Sequence, residues 1–291
     1  MQQRLKKLTG AFLLTAVVLA IALPQILHRF GLHPEYKGEY FVISPGKKAL
    51  IIGTNHGILS QVEDVSGDPT GLASSELTHP YYTFLDAGLR VDLASILGGR
   101  IPVDPKTLSR MIITPDDKRA LNDPMLQAKL THSIPIDDVD FTSYDIIFLA
   151  GGWGAAYDFG YSALLAKKIS DAYAAPNTII GAVCHGVLGL INARDPQGDR
   201  LIKDRRMTGV TNKQIKELRI SVTPQHPETE LKAAGALFEA NTALLDIFAT
   251  HVVVDDGERF VTGQNQNSAL EAAHTILGLV AAQSAGASTS N

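Results

Sequence analysis

The only cysteine of the chain lies in a setting that suggests chemistry. Cys184 falls within TIIGAVCHGVLGLI, residues 178–191, and His185 follows it directly. An isolated cysteine more often packs as a small buried hydrophobe. Here the adjacent histidine and the nearby Gly186 favour a reactive thiol. We therefore predict that Cys184 is a nucleophile.

The flanking residues predict the backbone that carries this thiol. Residues 178–183 form an apolar, partly β-branched run typical of a buried strand, and residues 187–191 predict an apolar helix. Cys184 then lies on the turn between them, where Ala182 and Gly186 provide the small neighbours that a strained nucleophile elbow requires. A thiol at a helix N-terminus ionises more easily. The sequence therefore predicts that the thiolate of this cysteine is favoured.

Strand and helix patterns alternate along the rest of the chain. KALIIG (48–53), LRVDLAS (89–95) and YDIIFLAGG (144–152) predict strands, while residues 74–87 and 162–174 predict helices. Repeated strand–helix units with continuously apolar strands predict an α/β protein whose mostly parallel sheet is covered by helices on both faces. In such sheets, ligand sites lie beyond the C-terminal ends of the strands. We therefore expect the loops with Asn55, Gly151–Gly152 and Cys184 to meet at one edge.

Composition narrows the class of protein. The net charge is −4, and 45% of the residues are hydrophobic against 19% charged. Lysine and arginine are scattered instead of forming a stripe, so we expect no nucleic-acid partner. A single cysteine excludes an internal disulfide and a cysteine-based zinc cluster. The length and composition predict one main globular domain.

The N-terminus has the pattern of an export signal or a membrane anchor. Arg4, Lys6 and Lys7 precede a nearly uncharged run over residues 8–27. That length matches the roughly 20 residues of a membrane-spanning helix, so the sequence predicts an anchor in the membrane, with signal cleavage after Ala22 as the alternative. Because the basic flank stays inside, the domain is expected on the exported side, anchored or, after cleavage, secreted.

Four segments follow from these patterns. Residues 1–30 are the predicted anchor or signal, and residues 31–47, with their glycines and prolines, are a linker. Residues 48–282 form the domain. Residues 283–291 are small and polar, which predicts a disordered tail.

The motifs together resemble the DJ-1/PfpI superfamily within the class I glutamine amidotransferase-like fold, most closely its Hsp31-like, glyoxalase III-like branch. The resemblance covers about residues 48–282 and rests on TGLASSELTHPYYTFLDAGLRVDLAS, GGRIPVDP, YDIIFLAGGWGAAYDF, GAVCHG and VTGQNQNS. Each motif is weak alone, whereas their order and spacing are specific. The resemblance implies a flavodoxin-like three-layer sandwich.

The resemblance also implies roles for individual residues. Cys184 is the expected nucleophile, His185 its partner, and Glu76 a carboxyl that shares a proton with the thiol. A carboxyl buried beside a thiol has a raised pKa and can relay a proton, whereas without the family pattern Glu76 would be interpreted as a solvated surface residue. Backbone N–H groups of the double-glycine loop and of His185 are expected to bind an oxyanion. The oxyanion and substrate-binding residues are therefore expected to be Gly151, Gly152 and Asn55.

Some expected features are missing or ambiguous. Relatives in this branch often add an acid to the Cys–His pair, but TGVTNKQIKEL (208–218) offers only Glu217 near the expected place. The HPE stretch at 226–228 is interpreted as the segment before a helix. Glu76 and His79 share a helical face and His56 lies on a nearby loop, but we assign no metal. His251 is interpreted as structural.

The leading hypothesis is a cofactor-independent enzyme on small reactive aldehydes, similar to glyoxalase III, which converts methylglyoxal to lactate. No cofactor is implied, the partner is a small-molecule substrate, and a homodimer remains open. The alternatives are a redox-sensing or holdase-type stress protein and a thiol-dependent amidase or peptidase. A small enclosed pocket at Cys184 would favour aldehyde chemistry, and a large exposed apolar patch would favour a holdase.

Overall fold

A seven-stranded sheet forms the centre of the computed structural model, which describes residues 15, 17–19 and 21–288. Across the sheet the strands run β10, β11, β7, β6, β1, β4, β5, and every neighbouring pair is parallel except β10 and β11. Two short pairs, β2 with β3 and β8 with β9, stand apart from it. In chain order the strands are β1 (Lys48–Gly53), β2 (Ile58–Leu59), β3 (Asp68–Pro69), β4 (Arg90–Ser95), β5 (Ile134–Pro135), β6 (Ile146–Leu149), β7 (Ile179–Val183), β8 (Arg206–Met207), β9 (Leu237–Phe238), β10 (Val252–Val254) and β11 (Phe260–Gly263).

Helices cover both faces of this sheet because its strands are apolar on both sides. Along β1, Ala49 and Ile51 point into one core and Leu50 and Ile52 into the other, as the two-residue period of a strand requires. The predicted flavodoxin-like three-layer sandwich is confirmed. The helices are α1 (Ser74–Asp86), α2 (Pro115–Leu121), α3 (Pro124–Thr131), α4 (Ala155–Asp158), α5 (Ala163–Ala174), α6 (Asn212–Glu217), α7 (Pro227–Ala233) and α8 (Ala269–Ser288).

Helices α1 and α8 pack side by side over one core, and α5 covers the other. Leu77 and Phe84 of α1 and Ile276 of α8 are almost completely buried in the first core. Leu165 and Ile169 of α5 are buried in the second. Burying one such side chain contributes about 1.5–3 kcal/mol. The first turn of α1 is therefore fixed against the sheet edge where the site lies.

The predicted membrane anchor is wrong. Within residues 15, 17–19 and 21–288, no helix has both the length and the apolar character needed to cross a membrane. Residues 1–14, 16 and 20 of the predicted segment lie outside the described residues. The localisation inferred from it, an exported domain held at the membrane or released by cleavage, is withdrawn.

Residues 31–47 contact the domain at several points. Leu32 is 2% exposed and Ile43 is 5% exposed, and the backbone N–H of Ile43 donates to the Ala87 carbonyl at 2.8 Å. Tyr36 stacks on His274 of α8 with ring centroids 3.9 Å apart. The segment therefore lies along α1 and α8. At the other end of the chain, α8 continues to Ser288, and residues 289–291 lie outside the described residues.

Candidate active site

Cys184 lies on a strained turn immediately after β7. Its φ of +56° is in the left-handed region, which costs an L-residue about 1–2 kcal/mol. A short 3₁₀ helix, Cys184–Leu190, follows where the sequence predicted a helix over residues 187–191. Gly186 is required there, because an added Cβ would overlap the carbonyl oxygen of Leu149 on β6. The strand, turn and glycine together form a nucleophile elbow, as the sequence predicted.

Glu76 lies in the first turn of α1 and is 1% exposed. Burial raises its pKa to about 8, although hydrogen bonding with the Cys184 thiol and with the backbone of Gly151 lowers it in part. The carboxyl is therefore neutral at pH 7 and can donate a proton. Its Oε2 has no hydrogen-bond partner among the described residues. An added Cβ on Gly151 would lie 2.6 Å from that oxygen, so the glycine makes room for the carboxyl.

Burial also raises the pKa of the Cys184 thiol, and the neighbouring Glu76 raises it further. The backbone N–H groups of His185 and Gly152 act in the opposite direction. The sequence-based expectation of an easily ionised thiol therefore differs from the structure, because the site is buried and contains a carboxyl that the helix dipole argument did not include. A thiol in this setting needs a base close by to react.

His185 lies beside the thiol. Its Nδ1 lies 3.4 Å from the Cys184 Sγ, and Trp153 packs against the ring at a centroid distance of 4.8 Å. Burial lowers the pKa of His185 to about 3, and the nearby His226 lowers it further. The imidazole is therefore neutral at pH 7 and can accept a proton. Its Nε2 has no partner among the described residues.

The double-glycine loop after β6 closes the site from the other side. Gly152 has a φ of +103°, and an added Cβ would overlap the backbone of Ala73 just before α1. The Gly152 N–H interacts with the Cys184 thiol, and that of Gly151 with the Glu76 carboxyl. The loop therefore directs one backbone N–H toward the thiol and another toward the carboxyl.

Asn55 lies outside this arrangement. Its Oδ1 accepts from the backbone N–H of Leu97 at 2.7 Å, and its Nδ2 donates to the Gly98 carbonyl at 3.0 Å. The backbone N–H of Asn55 donates to the Asp158 carboxylate at 2.8 Å. The side chain thus holds the loop after β4 and does not line the cavity at Cys184.

The candidates for a third catalytic acid are engaged elsewhere. Glu217 Oε2 accepts from the backbone N–H of Asp246 at 2.8 Å. Glu228 of the HPE stretch accepts from the backbone N–H of Asn212 at 2.8 Å and pairs with Lys232 at 2.6 Å. Within the described part of the chain, neither carboxylate is hydrogen-bonded to His185. The ionisable neighbour that affects the pKa of His185 is His226, which lowers it.

Three other histidines that the sequence analysis considered contact different parts of the structure. His56 stacks on Tyr157 at 3.9 Å, and His251 lies 3.6 Å from the Glu239 carboxylate. His79, buried in α1, packs edge-on against His33 at 5.7 Å. In the part of the chain that the structure describes, no three His, Cys, Asp or Glu side chains are grouped so as to hold a metal ion.

A cavity of about 190 Å³ opens at the Cys184 thiol. It brings together Glu76, Gly152, Cys184 and His185, as the sequence predicted. Trp153 and His33 also line it and were not anticipated. Trp153 directly follows the double glycine, a signal the sequence offered, whereas His33 reaches the site through a tertiary contact. The rest of the lining consists of six apolar residues, Ala73, Ile112, Val210, Leu218, Ile220 and Ile247, and six polar ones, Ser75, Asp104, Lys106, Thr107, Gln214 and Gln266.

The fold and this site define a class of α/β proteins with a cysteine on a nucleophile elbow beside a buried carboxyl. A DJ-1/PfpI family model matches residues 69–279, and the chain belongs to that family. Its similarity to the Hsp31-like, glyoxalase III-like branch is also confirmed.

The chain is similar to two relatives over most of their length. The chain is 26% identical to the glutathione-independent glyoxalase hsp3101 of Schizosaccharomyces pombe over 243 residues, 80% of this chain and 96% of the relative. It is 28% identical to glyoxalase 3 of Candida albicans over 223 residues, 72% of this chain and 90% of the relative.

Two solved structures are also similar to this chain in sequence and in fold. The Francisella tularensis Rapid Encystment Protein 24 kDa is 34% identical, with a TM-score of 0.73, and the match covers 80% of this chain and 99% of that one. The crystal structure of glyoxalase III from Candida albicans is 26% identical with a TM-score of 0.70, covering 80% and 97%.

Proposed function

We propose that the protein is a cofactor-independent glyoxalase that converts a small 2-oxoaldehyde such as methylglyoxal into the corresponding 2-hydroxy acid, with Cys184 as the nucleophile. The observation that carries the proposal is the meeting of a thiol, a neutral imidazole and a neutral carboxyl in one small cavity. The relatives named glutathione-independent glyoxalases support the reaction class.

The first step forms a bond between Cys184 and the aldehyde carbon. Because His185 Nδ1 lies 3.4 Å from the Sγ, it is placed to accept the thiol proton as the sulfur attacks. Glu76, neutral at pH 7, gives its proton to the aldehyde oxygen. The product is a hemithioacetal, with Glu76 now a carboxylate and His185 an imidazolium. The new negative charge offsets part of the desolvation that lowers the pKa of His185 in the resting state.

The second step is an internal redox exchange. The Glu76 carboxylate removes the hydrogen from the carbon bonded to sulfur and returns it to the neighbouring ketone carbon through an enediol, while the hydroxyl proton moves between the two oxygens. The first carbon is oxidised to a thioester and the second is reduced to an alcohol. No external oxidant or reductant is consumed.

Hydrolysis of the thioester completes the cycle. Water attacks the thioester carbon and gives a proton to the Glu76 carboxylate, and the departing thiolate takes back the proton held by His185. The 2-hydroxy acid leaves, and all three side chains return to their starting protonation.

The test is formation of lactate from methylglyoxal by the purified protein without glutathione. We expect Cys184→Ala to abolish it and Glu76→Gln to reduce turnover at least about a hundredfold, the usual scale for loss of a general acid–base. Glu217→Gln is the matched control, since that carboxylate caps Asp246, and it should retain near-normal turnover. No lactate from the wild type, or full activity of Cys184→Ala, would overturn the proposal.

A further inference from the structure

The N-terminal segment contributes a polar group to the cavity at Cys184. His33 lines this cavity, although it lies well before residues 69–279 that match the family model. Ser75, which directly precedes Glu76 in α1, lines it as well. The His33 Nε2 and the Ser75 Oγ form a hydrogen bond of 3.2 Å. A residue of this chain's own N-terminal segment therefore meets the catalytic helix inside the site.

The backbone at His33 is held in an unfavourable conformation by specific contacts. Its φ of +51° is in the left-handed region. Its N–H donates to Asn267 Oδ1 at 2.9 Å, and the adjacent Leu32 is 2% exposed. Strained residues persist where their surroundings fix them, and they concentrate at functional sites. The segment is therefore anchored on both sides of the imidazole.

His33 and Ser75 have donor and acceptor positions that are not used within the described protein. The buried Nδ1 of His33 has no partner among the described residues. The Ser75 hydroxyl is hydrogen-bonded to His33, and a hydroxyl offers one donor and two acceptor positions. By contrast, the Asp104 carboxylate in the same lining already accepts from Thr70 and from the backbone of Lys106. In a largely apolar cavity, a few polar groups fix the orientation of a ligand.

We propose that His33 and Ser75 act as one unit that binds the second oxygen of the substrate, the ketone oxygen next to the carbon attacked by Cys184. This inference rests on the proposed function. Ser75 donates its hydroxyl to that oxygen, and His33, through Nε2, fixes the direction of the hydroxyl. The pair thereby selects 2-oxoaldehydes and places their two carbons for the hydrogen transfer by Glu76.

The test is a double-mutant cycle on the full chain with His33→Phe and Ser75→Ala. We expect each single variant to raise the KM for methylglyoxal about tenfold, the effect of one lost hydrogen bond, with a smaller change in kcat. Since the two residues act as a unit, the double variant should lose no more than the worse single variant. Additive losses, or an unchanged KM in either single variant, would overturn the proposal.

His274→Phe is the matched control, because that imidazole stacks on Tyr36 of the same segment but does not line the cavity. It should keep the wild-type KM, and a rise equal to that of His33→Phe would show a merely structural effect. A second readout does not need turnover: methylglyoxal should protect Cys184 from alkylation by iodoacetamide, and His33→Phe should weaken that protection about tenfold. Protection without lactate would refute the proposed function alone, whereas equal protection of both proteins would refute the role of the pair.

Discussion

Glu76 is a carboxyl buried next to a thiol, and its proton links the chemistry of the site to the stability of the fold. The residue types and spacing indicated Cys184 and its elbow, and the resemblance indicated Glu76 and His185. Neither the residue spacing nor the resemblance could indicate the protonation states of the thiol and the carboxyl. A helix dipole favours a thiolate, but complete burial beside a carboxyl outweighs it and raises the pKa of both groups. Burial depends on the whole fold and is not visible in a local motif.

The raised pKa of Glu76 predicts a specific dependence of stability on pH. Its pKa is about 8 in the folded protein, against 4.5 as the ordinary value. Below 4.5 the carboxyl is neutral in both states. Between these values the unfolded chain releases the proton and the folded protein keeps it, so the free energy of unfolding falls as pH rises through this window. Glu76→Gln lacks this ionisation.

We therefore expect the stability of Glu76→Gln relative to wild type to increase by roughly 1.4 kcal/mol per pH unit between about pH 5 and pH 8. Urea unfolding at several pH values measures the difference. Glu63→Gln, in an exposed loop, should show a constant difference from wild type over the same range. A constant difference for Glu76→Gln as well would mean that the carboxyl is ionised in the folded protein.

At the scale of elements, the long periodic segments were predicted well. The predicted strands at 48–53 and 89–95 are β1 and β4, and the predicted helices at 74–87 and 162–174 are α1 and α5 within a residue or two at each end. Hydrophobic period determines such elements because each must bury one face or both. The elements of two residues, such as β5 and the pairs β2–β3 and β8–β9, carry too little pattern to be predicted.

The segment after Cys184 is the instructive exception. Its composition predicted a helix over residues 187–191 but not the type of helix, and the structure has the 3₁₀ helix Cys184–Leu190. Gly186 passes against the carbonyl of Leu149, and an added Cβ on Gly189 would lie 3.0 Å from Leu165. The segment therefore follows the shape of β6 and α5, which are distant in sequence, more closely than its own propensity.

Gly186→Ala tests whether this close approach holds the elbow in place. Since the added methyl group would overlap a strand backbone that cannot move freely, we expect a loss of about 1–3 kcal/mol in the free energy of unfolding. Because burial raises the pKa of the Cys184 thiol, a displaced elbow should also expose the thiol and make its alkylation faster. Gly286→Ala is the control, because nothing lies within 4 Å of its added Cβ on α8. It should be as stable as wild type or slightly more stable. Equal behaviour of the two variants would show that the elbow tolerates a side chain.

At the scale of the whole molecule, hydropathy alone gave a wrong result for the N-terminus. The run over residues 8–27 is apolar enough to predict an anchor, yet no helix among the described residues is long and apolar enough to cross a membrane, and after residue 29 the chain turns onto the domain. The contacts that hold it there join residues far apart in sequence, such as His33 with Asn267 and Tyr36 with His274. A single sequence contains no local signal for such pairings, so His33 could not be assigned to the site in advance.

Leu32 provides the test of this docking, since it is 2% exposed and immediately precedes His33. Truncating a buried leucine removes its transfer free energy and leaves a cavity, so Leu32→Ala should lower the free energy of unfolding by about 2–5 kcal/mol, or by less if only the segment detaches. In either case protease should cut residues 31–47 faster, and the KM for methylglyoxal should rise with the displacement of His33. Val42→Ala is the control in the same segment, because Val42 is 89% exposed and its truncation should change none of these quantities. If Leu32→Ala matches Val42→Ala in stability, proteolysis and KM, the segment is not docked in solution and His33 does not belong to the cavity.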